Sequence, residues 1–268
     1  MTSFSIPPTA ELTDDDLRRY ARHIILREVG EEGQRRIKSA SVLIVGVGGI
    51  GSPAALYLAA AGVGRIGIVD ADRVDESNLQ RQVLYSTPQV GKPKVEAARE
   101  RLHNLNPKIQ IDAYNTRFTA ENANQLAADY DILVDGSDNF ATRYAINAAA
   151  VRQSKPYVYG AIHEYDGQVS VFYAPEGPCY NCVFPKAPEE VKGVRGVLGA
   201  LPGVVGTLEA AEALKLILGV GEPLIGKLLL YNLFVTSFDI IKLRKNPECE
   251  VCGNHDAQNN DARCHDAR

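Results

Sequence analysis

No run of about 18 or more apolar residues occurs in the 268-residue sequence, so no transmembrane helix is expected. The opening MTSFSIPPTAELTDDD lacks a basic stretch followed by an apolar one, so no secretory signal is expected and a cytoplasmic location is. A net charge of −4 carries no cationic excess and gives no reason to expect a nucleic-acid or anionic-membrane partner. Histidine is scarce, with five in all. Only His163 falls where a ligand crevice would open, and its reading is structural, so no histidine stands out as a general base. Cysteine is absent from residue 183 to residue 248.

The cysteines that are present are grouped. Cys179 and Cys182 form one C-x-x-C pair, Cys249 and Cys252 a second, and Cys264 stands apart. In a cytosolic enzyme such pairs more often hold a metal or do redox chemistry than form structural disulfides. Four thiolates in two pairs fit a tetrahedral Zn²⁺ with no open position, a structural site that would pin the end of the chain near residue 180. The rival is a redox dithiol, in which one pair works without the other.

At 45% apolar and 23% charged residues, the composition is that of an ordinary globular protein. Residues 14–28 and 31–38 have helical patterns. SVLIVG at 41–46 reads as a strand buried on both faces of a parallel sheet. Residues 52–62 read as a helix with Ser52 as a possible cap and Pro53 in its first turn. Strands at 65–70, 109–114, 131–135 and 157–160 then alternate with helices at 94–105, 120–129 and 139–153. Residues 167–173 alternate like an antiparallel strand, 176–202 read as a long loop or lid, and 203–219 as a helix. Residues 227–243 read as two strands joined near Phe234–Ser237. The fold class is therefore α/β, a Rossmann-like doubly wound sheet, parallel in the first half and extended by antiparallel strands in the second. We divide it into N-terminal helices (1–40), one domain (41–253) and a polar tail (254–268) expected to be disordered.

The motif Gly46-x-Gly48-Gly49-x-Gly51 lies between a strand and a helix. Such a turn lets backbone N–H groups and a helix N-terminus approach phosphate. Asp70 follows where a carboxylate would take ribose hydroxyls. These residues alone leave a nicotinamide or flavin dinucleotide open. The next segment, D-A-D-R-V-D-E-S-N-L-Q-R-Q, adds Asp72, Ser77, Asn78, Gln80, Arg81 and Gln82, and G-K-P-K ends in Lys94. An Arg and a Lys converging on a glycine turn suit a triphosphate better than a hydride-transfer site. Asp138, after the fourth strand, would face the same crevice as a Mg²⁺ ligand; Asp138 or Asn139 could instead cap the next helix.

Together, GxGGxG, D-x-D, SNLQRQ, GxPK and S-D-N resemble the MoeB/ThiF family, bacterial relatives of ubiquitin-activating enzymes. R-Y-x-R-x-I-x-L from Arg19 to Leu26, C-Y-x-C and C-x-V-C-G resemble it too, so the likeness covers roughly residues 12–253. The resemblance implies ATP-dependent adenylation of the C-terminal glycine of a ubiquitin-like sulfur carrier ending in Gly-Gly, with release of pyrophosphate. Carried over by position, Gly49, Asp70, Ser77, Asn78, Arg81, Lys94, Asp138 and Asn139 would contact ATP or its metal. Gly46, Gly48, Gly51, Asp72 and Gln80 complete the expected nucleotide site. Arg22, Arg81, Lys94 and Asp138 form the expected catalytic set. Arg22 matches an arginine that reaches into the neighbouring subunit, which implies a homodimer contacting through residues 1–40. Many members also carry the four-cysteine zinc site.

Two positions depart from the family. Many relatives have a reactive cysteine at about Lys192, whose absence implies an enzyme that stops at the acyl-adenylate; Cys264 could substitute only by folding back. Relatives often have Asp where this chain has Asn232. The competing readings are an NAD(P)-dependent oxidoreductase, which leaves SNLQRQ and the cysteines unexplained, and an inactive scaffold for a ubiquitin-like protein.

Overall fold

The computed structural model describes residues 2–188 and 196–253. Eight strands form one sheet: β1 (Ser41–Val45), β2 (Arg65–Val69), β3 (Gln110–Tyr114), β4 (Ile132–Asp135), β5 (Tyr157–His163), β6 (Asp166–Phe172), β7 (Lys227–Asn232) and β8 (Ser237–Lys242). Their spatial order is β3-β2-β1-β4-β5-β6-β7-β8. Every neighbouring pair from β3 to β5 is parallel and every pair from β5 to β8 antiparallel, as the sequence pattern predicts.

Crossover helices follow from the parallel pairing, because parallel strands cannot be joined by a tight turn. Helices α4 (Gly51–Ala61), α5 (Lys94–Leu105) and α9 (Ala200–Leu218) cover one face. Helices α6 (Ala123–Ala127), α7 (Phe140–Arg152) and α8 (Tyr180–Val183) cover the other. β1 explains the unbroken apolar run in its sequence. Val42 and Ile44 enter one core, Leu43 and Val45 the other, and all four are buried.

The N-terminal helices are α1 (Asp14–Arg19), α2 (Ala21–Ile24) and α3 (Gly30–Ser39). The single helix expected over 14–28 is broken at Tyr20. Its hydroxyl accepts a hydrogen bond from Asn106 Nδ2 (2.8 Å), and its ring packs where a side chain at Gly62 would collide with it. That long-range anchoring outweighs helix continuity. α1 starts at a capping box in which Thr13 Oγ1 accepts the Asp16 amide and Asp16 Oδ2 accepts the Thr13 amide. The buried Asp16 also pairs with Lys38 (2.7 Å) and Lys108 (3.2 Å).

Other boundaries shift for local reasons. Ser52 does not cap α4; Ile50 does, and the Ser52 hydroxyl turns back to the Val47 carbonyl. β5 extends to His163 because it pairs along its full length with β6. The helix expected over 120–129 covers only 123–127. The segment expected to be a loop contains α8 and the start of α9. No helix among the described residues is long and apolar enough to cross a membrane.

Candidate active site

The chain runs from β1 to β2 on one side and returns to β4 on the other. This reversal opens a crevice beyond the carboxyl ends of β1 and β4. Two backbone turns form its floor. The Gly46 amide donates to Val69 O (2.8 Å) and the Gly136 amide to Val45 O (2.8 Å). Gly46 has φ +88°, in the region that favours glycine. A Cβ at Gly51 or at Gly136 would sit 2.0 Å from the Gly46 carbonyl oxygen. The chain's own packing thus requires glycine at 46, 51 and 136. Gly48 differs: a Cβ there would meet nothing closer than Gln82 Nε2 at 3.7 Å. Nothing internal accounts for its missing side chain, which leaves room for a phosphate to approach the backbone.

The segment after β2 lies against this turn. Asp70 Oδ2 accepts the Val47 amide (3.0 Å) and Oδ1 the Asp72 amide (2.9 Å). Asp72 in turn draws in Lys94: its carboxylate accepts from Lys94 Nζ (3.0 Å) and its carbonyl from the Lys94 amide (2.9 Å). Lys94 is buried at the first position of α5 while Asp72 is exposed. Asp75 caps a short 3₁₀ turn at Glu76–Asn78 by accepting the Ser77 amide (2.8 Å) and hydroxyl (2.5 Å). Arg81 donates to the Ser77 carbonyl (3.1 Å), and its stem lies 3.6 Å from where a Cβ at Gly49 would be. Gln80 packs beside Gly199, the cap of α9.

Of the two roles expected at Asp138 and Asn139, the helix cap is filled by Asn139. Asn139 Oδ1 accepts the Thr142 amide (2.9 Å) as the cap of α7. The Asp138 carboxylate is exposed, with only a 3.4 Å contact from Asn139 Nδ2. Glycine turn, Asp70, Asp72, Arg81 and Asp138 therefore occupy loops at one end of the sheet, with Lys94 beside them at the start of α5. Arg22 is not among them. It is exposed on α2, two residues after Tyr20, which is anchored beside Gly62 at the opposite end of the strands. His163 is exposed at the end of β5, opposite Asp166.

Tyr85 and the Asp135 cluster escaped the sequence reading, and Gln82 entered it only as one of a run of polar residues. Gln82 is buried over Gly48, and its Oε1 has no hydrogen-bond partner among the described residues. Tyr85 donates from its hydroxyl to Val47 O (2.8 Å); burial and the Asp70 and Asp72 charges hold its pKa far above the ordinary phenol value, so it stays a donor. Asp135, Arg143 and Tyr157 form a buried polar cluster beneath Ser137. An Asp closing an apolar strand before Gly-Ser was the available signal for it; the partners, on α7 and β5, carry no motif.

The cysteines converge as the spacing predicts. Cys179 lies beside Cys182 (Sγ–Sγ 3.8 Å) and Cys249 (3.6 Å), and Cys182 beside Cys252 (3.4 Å). All four sulfurs lie within 4.8 Å of one another. These separations are far too long for S–S bonds. They fit a tetrahedron with Zn–S bonds of about 2.3 Å, whose edges are about 3.8 Å. Asn232, the other departure from the family pattern, closes the β7–β8 turn: it donates to Asp166 Oδ1 (2.7 Å) and accepts the Val235 amide (3.0 Å). Lys192, Cys264 and the tail 254–268 lie outside the described residues.

Comparison with known proteins agrees with this geometry. A model of the ThiF family matches residues 20–251. The sulfur carrier protein adenylyltransferase of Thermus thermophilus is 52% identical over 92% of this chain and 94% of that protein. The probable adenylyltransferase/sulfurtransferase MoeZ of Mycobacterium tuberculosis is 45% identical over 91% of this chain but only 66% of its own length. Among solved structures, E. coli MccB with succinimide superposes with a TM-score of 0.80 at 26% identity, over 91% of this chain and 75% of that one.

Proposed function

The chain belongs to the ThiF family, and from that premise we propose that it is an adenylyltransferase that activates the C-terminal carboxylate of a small ubiquitin-like sulfur-carrier protein with ATP, releasing pyrophosphate. The observation that carries this reading is the pairing of a glycine turn, open at Gly48, with a buried lysine and an uncommitted carboxylate at one crevice.

The chemistry needs no general base. A terminal carboxylate has a pKa of about 3.3–3.7 and is already a nucleophilic anion at neutral pH. The barrier lies in bringing it to a polyanion, so the protein's task is alignment and charge neutralisation. The glycine-turn amides at Gly48 and Gly49 cradle phosphate, while Gly46 and Gly51 give the turn its shape. Asp70 and Asp72 face the ribose, with Asp72 also holding Lys94. Ser77, Asn78, Gln80 and Asn139 line the nucleotide site. Arg81 and Lys94 neutralise charge on the departing pyrophosphate. Asp138 is the residue to hold Mg²⁺, which when bound would offset the charge of the phosphates. Cys179, Cys182, Cys249 and Cys252 hold a structural Zn²⁺.

Arg22 completes the site of a second copy, making the active form a homodimer built on residues 1–40. Its position away from its own crevice supports this. The carrier docks on the antiparallel end of the sheet, where Phe238, Ile240 and Ile241 are exposed, and residues 41–253 act as a single adenylation domain. With no cysteine between 183 and 248, the reaction stops at the acyl-adenylate and a separate donor supplies sulfur. The setting is cytoplasmic.

The test is ATP–pyrophosphate exchange with purified protein and candidate carriers ending in Gly-Gly. Exchange that depends on the carrier and on Mg²⁺ is expected. Absence of ATP binding, together with uptake of a nicotinamide or flavin, would overturn the reading.

A further inference from the structure

Asp138 sits on the four-residue connection between β4 and α7, whose other members are held from below. Asp135 ends β4 fully buried. Its Oδ1 accepts both the amide (2.9 Å) and the hydroxyl (2.6 Å) of Ser137, and its Oδ2 accepts the Tyr157 hydroxyl (2.6 Å). Arg143, on the first turns of α7, places Nε 3.5 Å from the same Oδ2 and donates from Nη2 to the Ser137 carbonyl (3.3 Å). Its guanidinium is sandwiched by Phe140 (5.5 Å) and Tyr159 (5.6 Å).

The ring closes on itself. β4 leads into the loop, the loop into α7, and Arg143 returns to the end of β4. On the side facing the glycine turn, Gly136 is pressed against the Gly46 carbonyl so closely that no side chain fits. On the far side, the Asn139 cap fixes the start of α7. Asp138 is thus the one exposed carboxylate in a loop whose neighbours on both sides are tied down. A buried ion pair is a poor source of stability, because desolvation offsets much of its attraction. Two charges and a tyrosine committed to one four-residue turn therefore call for another reason.

We propose that Asp135, Arg143 and Tyr157 are positioning residues that hold the Asp138 carboxylate in place beside the glycine turn, so that Asp138 would take a divalent cation without rearrangement of the loop. The proposal rests on Asp138 being the Mg²⁺ residue of the adenylylation reading. Direct partners of a metal ligand change metal affinity by about 10- to 100-fold when lost; here the hold reaches Asp138 through Ser137.

The experiment titrates Mg²⁺ against a fluorescent ATP analogue bound to the full chain, and measures the analogue's affinity without Mg²⁺ alongside. Wild type, Asp138→Asn, Asp135→Asn and Tyr157→Phe are compared below their melting temperatures. Asp138→Asn and Asp135→Asn are each expected to raise the Mg²⁺ midpoint about tenfold or more, with metal-free affinity unchanged. A purely structural role for Asp135 would lower the melting temperature and leave the Mg²⁺ midpoint in place, and that result overturns the proposal alone. No shift in Asp138→Asn overturns the assignment of Asp138 and the proposal with it. Should Asp135→Asn not fold, Tyr157→Phe keeps every charge and removes one hydroxyl; a shift of about two- to fivefold supports the proposal, and none overturns it.

Discussion

The two halves of the sheet solve different problems with the same strands. In the parallel half, each strand needs a long crossover, and the crossovers supply helices for both faces. β1 is accordingly buried on both sides. In the antiparallel half, β6, β7 and β8 follow one another through the sheet, and β8 leaves Phe238, Ile240 and Ile241 exposed at the free edge. One half thus encloses polar loops at its strand ends, and the other presents apolar surface at its outermost strand. On the proposed reading, the first would hold the nucleotide and the second would meet the carrier.

The sharpest way to break this comparison is to remove one charge from each half. Lys94→Ala should lower carrier-dependent pyrophosphate exchange by about 10²- to 10³-fold, the usual cost of losing a group that stabilises developing charge. Lys242→Ala, on β8, should leave exchange at saturating carrier unchanged. Equal losses from the two would dissolve the distinction. Stability should divide in the same way. Ile44→Ala, in the doubly covered strand, is expected to cost about 2–5 kcal/mol in urea unfolding. Ile240→Ala, on the exposed edge, should stay within about 0.5 kcal/mol.

The cysteine cluster ties the antiparallel half to the chain end, so metal removal should weaken that half first. A chelator is expected to lower Tm by about 5–10 °C, on the scale of an added cross-link of about 2–4 kcal/mol. Hydrogen exchange should rise around residues 179–183 and 249–252 before it rises in β1. Uniform loss of protection would contradict the division.

The smallest effect lies where the halves meet. Glu209, on α9, is fully buried against Gly160, and neither carboxyl oxygen has a hydrogen-bond partner among the described residues. Burial, reinforced by the Asp135 charge, raises its pKa well above the ordinary 4.5. Above pH 4.5 the unfolded chain loses this proton while the folded one keeps it, so stability falls as pH rises through that window. Glu209→Gln should remove the decline and be more stable than wild type at neutral pH, the difference vanishing below about pH 4.5. An unchanged pH–stability curve would show that Glu209 has a partner or a proton path. Asp135, equally buried, is surrounded by donors and a cation, and makes the contrast within one protein.

Much of this was legible in the sequence because it is local. β1 announced its double burial by an unbroken apolar run, and α5 matched its pattern at both ends. The cysteine cluster was readable because the chemistry of four thiols limits the options. What escaped depends on contacts far apart in the chain. Nothing near Tyr20 says that it will be captured by Asn106 and Gly62. β5 is longer than its composition indicates because β6 pairs beside it. The Asp135 cluster draws on positions 135, 143 and 157, which only the packing of β5 and α7 against β4 brings together.

The contact of Gly136 with the Gly46 carbonyl has one more consequence. Where two main chains touch with no side chain between them, the base of the crevice has no compliant layer. A bulkier or differently shaped nucleotide cannot be accommodated by yielding there, since any displacement would have to separate β1 from β4. The shape of that floor is therefore set when the sheet assembles, before any ligand arrives.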